Sequence, residues 1–204
     1  MQDTETITDQ IIRLLNNSGS ESYCGEAVSQ LEHALQAAAL AQQTGKDEEF
    51  IVACLLHDIG HLSDDAQEVF DLEESDETAG NLEERKRNEA LDHGDEGARF
   101  LEGVASDRMR WLIAGHATAK RYLCAVEPGY YDQLSPVSKQ TLEFQGGPMT
   151  PAEVAELETH PWLEDLILLR RFDDEAKAPD LDVPALETYR PMLERQLAQL
   201  AESQ

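Results

Sequence analysis

His57 and Asp58 stand side by side at the end of the apolar run Phe50-Ile51-Val52-Ala53-Cys54-Leu55-Leu56, and His61 follows just past Gly60. An imidazole and a carboxylate adjacent on a rigid element can grip one metal ion together or bridge two. The same pair can also be a satisfied polar cluster, hydrogen-bonded and nothing more. The other histidines favour the metal. The series His33, His57-Asp58, His93, His116 and Asp173 offers four imidazoles and two carboxylates from five separate helical segments. One ion has no use for more than six ligands. Two ions bridged by Asp58 would use all six and keep open positions for a substrate. Asp174 adjoins Asp173 and offers the same ligand atoms, whereas His160, ahead of Pro161, reads as a surface residue.

The elements that must carry these residues are helices. Residues 5–16 place Ile7, Ile11, Ile12 and Leu15 at helical spacing. Residues 27–44 form a second helix, with Val28, Leu31, Leu35, Ala38 and Ala39 as its apolar stripe, His33 bordering that stripe and Gly45 as the stop. The run from Glu48 is apolar enough for a buried helix, and Gly60 is its expected end, since glycine tolerates the left-handed closing conformation. His93 opens a helix after a possible cap at Asp92, with Gly94, Gly97 and Ala98 small enough to admit a neighbouring element. Residues 109–116 are apolar and helical, ending near His116. Ser135-Pro136 and Thr150-Pro151-Ala152-Glu153 are helix starts. Residues 162–173 and 185–202 complete the set. No apolar alternation suggests a sheet. The expectation is an all-α fold, one compact helical domain over residues 1–204, with an acidic insertion at about 64–91 that holds at most one exposed helix near 81–91.

Composition narrows the partners. The 204 residues are 41% hydrophobic, enough for one well-packed core. Net charge is −26, from 42 acidic and 16 basic residues. Nucleic acid and anionic membrane surfaces are excluded as partners, because phosphate contacts need clustered lysine and arginine. A small anion is not excluded, since metals and a few local cations can reverse the potential inside a pocket. Cys24, Cys54 and Cys124 are odd in number and widely spaced, which fits a reducing cytoplasm. Cys54 reads as a small core residue. The acidic start Met1-Gln2-Asp3-Thr4-Glu5 lacks a basic-then-apolar signal, and no apolar run reaches the ~20 residues of a membrane helix.

The pattern His…His-Asp…Asp is the signature of the HD-domain superfamily, and the added His93 and His116 resemble its dinuclear branch of phosphodiesterases and oxygenases related to myo-inositol oxygenase. Three longer blocks resemble the PhnZ-type phosphonate oxygenases: Tyr23-Cys24-Gly25-Glu26 through His33, Gly115-His116 through Leu123, and Ser138-Lys139-Gln140-Thr141 through Met149. The resemblance implies two iron ions in a mixed-valence Fe(II)/Fe(III) state, with O2 as co-substrate. It implies His33, His57, Asp58 and Asp173 around one iron, Asp58 as the bridge, and His93 with His116 on the other. It implies Tyr23 and Glu26 as a lid over the site, and His61, Lys120, Ser138, Thr141 and Gln145 as the substrate-binding set, with His61 serving the chemistry as well. The residues agree in part: Ser138, Thr141 and Gln145 are spaced i, i+3, i+7 and share a helix face. Three neutral donors and the Lys120 ammonium suit a tetrahedral dianion, although an ordinary polar face plus a surface lysine would look the same.

The implied reaction is oxidative cleavage of the carbon–phosphorus bond of a small hydroxyphosphonate. A 1-hydroxy-2-aminoethylphosphonate would give glycine and phosphate, and its N-trimethyl analogue would give glycine betaine. Glu26, Tyr23 or Tyr122 would hold the cationic end. Two rivals stand beside it. A phosphohydrolase would use the same ligands with Mn or Mg to activate water against a phosphate ester. A non-catalytic sensor would keep the fold alone, at the expense of burying histidines and aspartates without a metal.

Overall fold

The computed structural model describes residues 6–18, 27–62 and 93–198, and every regular element among them is helical. In chain order these are α1 (Ile7–Ser18), α2 (Gln30–Gln43), α3 (Glu48–Leu56), a 3-10 turn (Ile59–Leu62), α4 (residues 93–100), α5 (Asp107–Val126), α6 (Tyr130–Gln133), α7 (Pro136–Phe144), α8 (Pro151–Leu157), α9 (Leu163–Glu175), a second 3-10 turn (Leu186–Thr188) and α10 (Arg190–Ala198). The Tyr23–Glu26 block, the acidic stretch 64–91 with its expected helix near 81–91, and Asp92 lie outside the described residues.

The fold is built around α3. Asp47 caps it by accepting the Phe50 N–H at 2.9 Å, and Glu48 and Glu49 complement the dipole in its first turn. Phe50 through Leu56 are all buried. A helix apolar on every side has to be wrapped. Helices α2, α5 and α10 pack on α3, α9 packs on α2 and α5, and α1 lies against α2 and α10. The main core therefore joins residues from Ile11 on α1 to Leu197 on α10. A smaller cluster of Tyr122, Leu123, Tyr130, Leu134, Leu142 and Met149 ties α6 and α7 to the far end of α5. None of the described helices is long and apolar enough to cross a membrane.

The starts expected at Ser135-Pro136 and Thr150-Pro151 are present, the second with a reciprocal Thr150–Glu153 capping box. Helix α2 begins at Gln30 rather than Ala27, because Ser29 and Glu32 form another such box. Helix α5 does not stop near His116 but runs to Val126, as nothing breaks it before Pro128-Gly129. The last segment is not one helix over 185–202. A 3-10 turn precedes α10, and Pro191, which can open a helix but not continue one, stands at the second position of α10.

Gly60 has a different role from the one its position suggests. Helix α3 ends at Leu56, His57 follows with φ −60° and ψ −31°, and the chain tightens into the 3-10 turn. Gly60 is not among the glycines with positive φ. What it supplies is room: a Cβ there would lie 1.9 Å from the His93 carbonyl oxygen and 2.8 Å from the Gly97 nitrogen. On the other side of α4, a Cβ on Gly94 would lie 2.8 Å from the Ala114 carbonyl oxygen. Three backbones thus stack in direct contact, and His93 is brought between the turn that carries His61 and the helix that carries His116.

Gly60→Ala is therefore expected to push α4 off the turn. The expected loss is about 2 kcal/mol or more for overpacking against backbone. For a chain of this length that is a fall of roughly 5 °C or more in the thermal midpoint, measured by circular dichroism on metal-free protein.

Candidate metal centre

Six of the side chains singled out from the sequence converge in the core. Helix α2 supplies His33, the end of α3 supplies His57 and Asp58, α4 supplies His93, α5 supplies His116 and α9 supplies Asp173, and none is more than 7% exposed. Asp58 lies at the middle. Its Oδ2 is 3.4 Å from His33 Nε2 and 3.3 Å from His57 Nε2. Its Oδ1 is 3.2 Å from His116 Nε2 and 3.9 Å from His93 Nε2. The two Nε2 atoms of the first pair are 3.1 Å apart, and those of the second pair 2.9 Å. Asp173 Oδ1 joins the first pair, 3.5 Å from His33 Nε2. Each oxygen of one carboxylate thus faces its own pair of imidazoles.

The tautomers of three rings follow from their outer partners. Nδ1 of His33 donates to the Ala176 carbonyl at 2.8 Å, Nδ1 of His57 to the Cys54 carbonyl at 2.8 Å, and Nδ1 of His116 to the Ile113 carbonyl at 2.7 Å. A carbonyl only accepts, so Nδ1 carries the hydrogen and the neutral ring turns a bare Nε2 lone pair inward. His33 and His57 then aim lone pair at lone pair across 3.1 Å. Asp58 Oδ2 is buried among them and, within the described residues, receives no hydrogen bond of normal geometry. A buried acceptor left so costs about 1–3 kcal/mol. A cation among these atoms answers both faults, and the donor set, imidazole nitrogen and carboxylate oxygen, suits iron, zinc or manganese. The residues fit a pair of metal ions.

The electrostatics carry the same demand. Burial disfavours the His57 imidazolium, but the Asp58 and Asp173 carboxylates outweigh it and hold the ring up to about 9. Burial would raise Asp58, yet the positive charge of the neighbouring His57 imidazolium holds it well below the usual carboxylate range. Asp173 is likewise depressed, the charges of Arg170 and Lys177 overcoming its burial.

Arg170 is a residue the sequence reading missed. It is 3% exposed and donates to Asp173 Oδ2 at 2.6 Å and to Asp174 Oδ1. Tyr130 donates its hydroxyl to the other Asp174 oxygen and accepts from Arg170 Nε at 3.2 Å. Asp173 is left with Oδ1 turned to the histidines, while Asp174 is engaged by Arg170 and Tyr130. The legible signal was the i, i+3, i+4 spacing of Arg170, Asp173 and Asp174.

The remaining residues are placed unevenly. A ring nitrogen of His61 lies within 4.8 Å of ligand atoms of Asp58 and His93, and the ring stacks on His93 with centroids 4.2 Å apart. Lys120 is buried at 3% exposure, not a surface lysine, and donates to Thr141 Oγ1 at 2.6 Å. Its burial and the neighbouring Arg170 charge lower it to about 7. Ser138 is buried on α7, and Gln145 caps that helix half-buried. Tyr23 and Glu26 lie outside the described residues. Tyr122 packs in the smaller cluster and donates to Glu158 at 3.3 Å, so the structure does not bring it to the metal cluster. His33 does not border its helix's apolar face but is fully buried, because α2 is covered on nearly every side. His160 is not a free surface residue: it is half-buried, stacked on Trp111 at 3.7 Å.

The HD domain family matches this chain over residues 31–173. A [1-hydroxy-2-(trimethylamino)ethyl]phosphonate dioxygenase (glycine-betaine-forming) of Leisingera caerulea is 38% identical over 93% of this chain and 89% of its own length. A hydroxymethylphosphonate dioxygenase of Gimesia maris is 41% identical over 90% of this chain and 85% of its own. An uncharacterized protein of Acanthamoeba polyphaga mimivirus is 33% identical over 90% of this chain and 78% of its own.

Metal and proton compete for the same atoms. In the metal-free protein His57 is held at about 9, above the ~6.5 of an unfolded histidine. Its contribution to stability is complete below the unfolded value and is lost as pH rises through the folded one. The metal-free thermal midpoint should therefore fall between these limits, and His57→Ala should flatten that fall. Below the folded value metal binding expels the proton, so apparent affinity should climb about tenfold per pH unit and then level. Asp58→Ala is expected to abolish binding of both ions and His116→Ala of one, measured as metal content after dialysis.

Proposed function

The chain belongs to the HD domain family, and we propose that it is an iron- and O2-dependent oxygenase that cleaves the carbon–phosphorus bond of a small hydroxyphosphonate. What carries the reading is the likeness, over nine-tenths of the chain, to two proteins named as phosphonate dioxygenases. The doubled imidazole pairs around Asp58 support it, since they provide for two ions rather than one.

In this reading Asp58 would serve two irons of mixed valence, His33, His57 and Asp173 would help to hold one, and His93 and His116 the other. Bound iron supplies activation of O2 and Lewis acidity toward the substrate's hydroxyl and phosphonate oxygens. The chain's own groups do the rest. Lys120 gives up its bond to Thr141 and takes a phosphonate oxygen, with Thr141, Ser138 and Gln145 as neutral donors beside it. The arriving dianion offsets the burial that lowers Lys120 and keeps its proton in place. His61, stacked against His93, donates to the substrate. Tyr23 and Glu26 would serve as the lid that the resemblance implies. Of the three groups expected to meet a cationic substituent, Tyr122 is turned to Glu158, while Tyr23 and Glu26 lie outside the described residues. The carbon leaves as a carboxylate and the phosphorus as phosphate.

Aerobic incubation of the iron-loaded protein with hydroxymethylphosphonate, 1-hydroxy-2-aminoethylphosphonate and its N-trimethyl analogue is expected to release phosphate from at least one. Release of phosphate only from phosphate esters by the Mn-loaded protein would overturn the proposal and favour the hydrolase. Because Lys120 is held at about 7, its charge is lost as pH rises past that value and KM should rise with it. Lys120→Arg, charged throughout, should remove the part of that dependence that does not come from the substrate.

A further inference from the structure

One turn beyond His33 on α2, Gln36 is 2% exposed and takes no part in the metal cluster. Its carboxamide makes two hydrogen bonds to a single backbone unit. Nε2 donates to the Ala178 carbonyl at 2.8 Å, and Oε1 accepts the Ala178 N–H at 3.1 Å. Ala178 lies in the strap that follows α9. Two residues earlier the same strap presents the Ala176 carbonyl to His33 Nδ1 at 2.8 Å. Between them Lys177 reaches back, its Nζ 3.8 Å from Asp173 Oδ1. Two residues at i and i+3 on one helix thus hold adjacent points of one short strap, and one of those points fixes a tautomer.

We propose that Gln36 is a positioning residue for the metal centre: by clamping the Ala178 backbone it keeps the Ala176 carbonyl on His33 Nδ1, and so keeps the His33 Nε2 lone pair aimed at Asp58. The inference rests on the reading of His33 as a metal ligand. A carboxamide is the side-chain group that answers one N–H and one C=O together. Leucine has similar bulk and answers neither. Glutamate as a carboxylate answers the N–H but opposes the C=O. Without the clamp the strap relaxes, Nδ1 loses a fixed acceptor, and the ring is free to move its hydrogen to Nε2, where it blocks metal binding.

The test compares the full-length wild type, Gln36→Leu, Gln36→Glu and a packing control, Leu35→Ala. Nitrogen NMR of the metal-free histidine rings reports the tautomer of His33, and titration with Fe(II) or Co(II) alone reports the two affinities. The wild type should show Nδ1–H at His33. Gln36→Leu should shift it toward Nε2–H and weaken one metal equivalent by about tenfold or more, leaving the other within about twofold. Gln36→Glu should fall between, and Leu35→Ala should lower the thermal midpoint while keeping tautomer and affinities. An unchanged His33 tautomer in Gln36→Leu, or equal losses in Gln36→Leu and Leu35→Ala, would overturn the inference. A wild type that binds no metal would sink the reading of His33 as a ligand, while the NMR signal would still decide the clamp.

Discussion

Two nitrogen lone pairs aimed at one another at 3.1 Å beside one buried carboxylate are tolerable only with positive charge among them. This demand governs the rest of the molecule. The metal-free protein meets part of it with a proton on His57, drawn there by Asp58 and Asp173. Metal ions would meet all of it, and they would do so without moving the rings, because backbone carbonyls already hold three of them by Nδ1. The cluster is thus pre-organised for cations at the expense of stability without them.

Such strain needs a scaffold that does not yield. Three features provide it. Helix α3 is buried on every side, so His57 and Asp58 leave it from a fixed point. The contacts of Gly60 and Gly94 bring backbone against backbone, where no side chain can flex to let His93 drift from its neighbours. Arg170 holds one Asp173 oxygen, which leaves the other facing the histidines. Each acts by removing a degree of freedom, and together they set the direction of ligand atoms drawn from five segments.

The helices were legible because their signals are local: caps at Ser135 and Thr150, apolar period on α1, continuous apolarity on α3. The ligand-bearing residues were legible because histidine is scarce and one His-Asp pair is adjacent. What the chain order hid are groups whose meaning depends on distant partners. His33 seemed to border a stripe, since periodicity reports one buried face and α2 has neighbours on nearly all. Gly60 looked like a helix stop, and only the approach of α4 shows that the missing Cβ matters more than the backbone angle. Gln36 finds its partner 142 residues away, in backbone atoms that any sequence would possess. Arg170 could have been suspected from spacing, but its burial could not.

The charge of the chain and the charge of its substrate would at first sight conflict. A protein of net charge −26 should repel a phosphonate dianion. Repulsion from surface carboxylates, however, is largely screened beyond a Debye length of about 8 Å at physiological salt. Inside the core the count is different. Lys120 and Arg170 are each 3% exposed, and the cluster itself calls for metal cations. Charges in that low-dielectric setting act far more strongly than those outside it. Lys120 lies among Arg170, Lys177, Asp173 and Asp174, and burial leaves it only partly charged near neutrality. An anion entering there would stabilise the lysine proton as much as the lysine stabilises the anion. The charge of the exterior and the charges placed inside the core are therefore separate constraints, and it is the second that bears on what is bound.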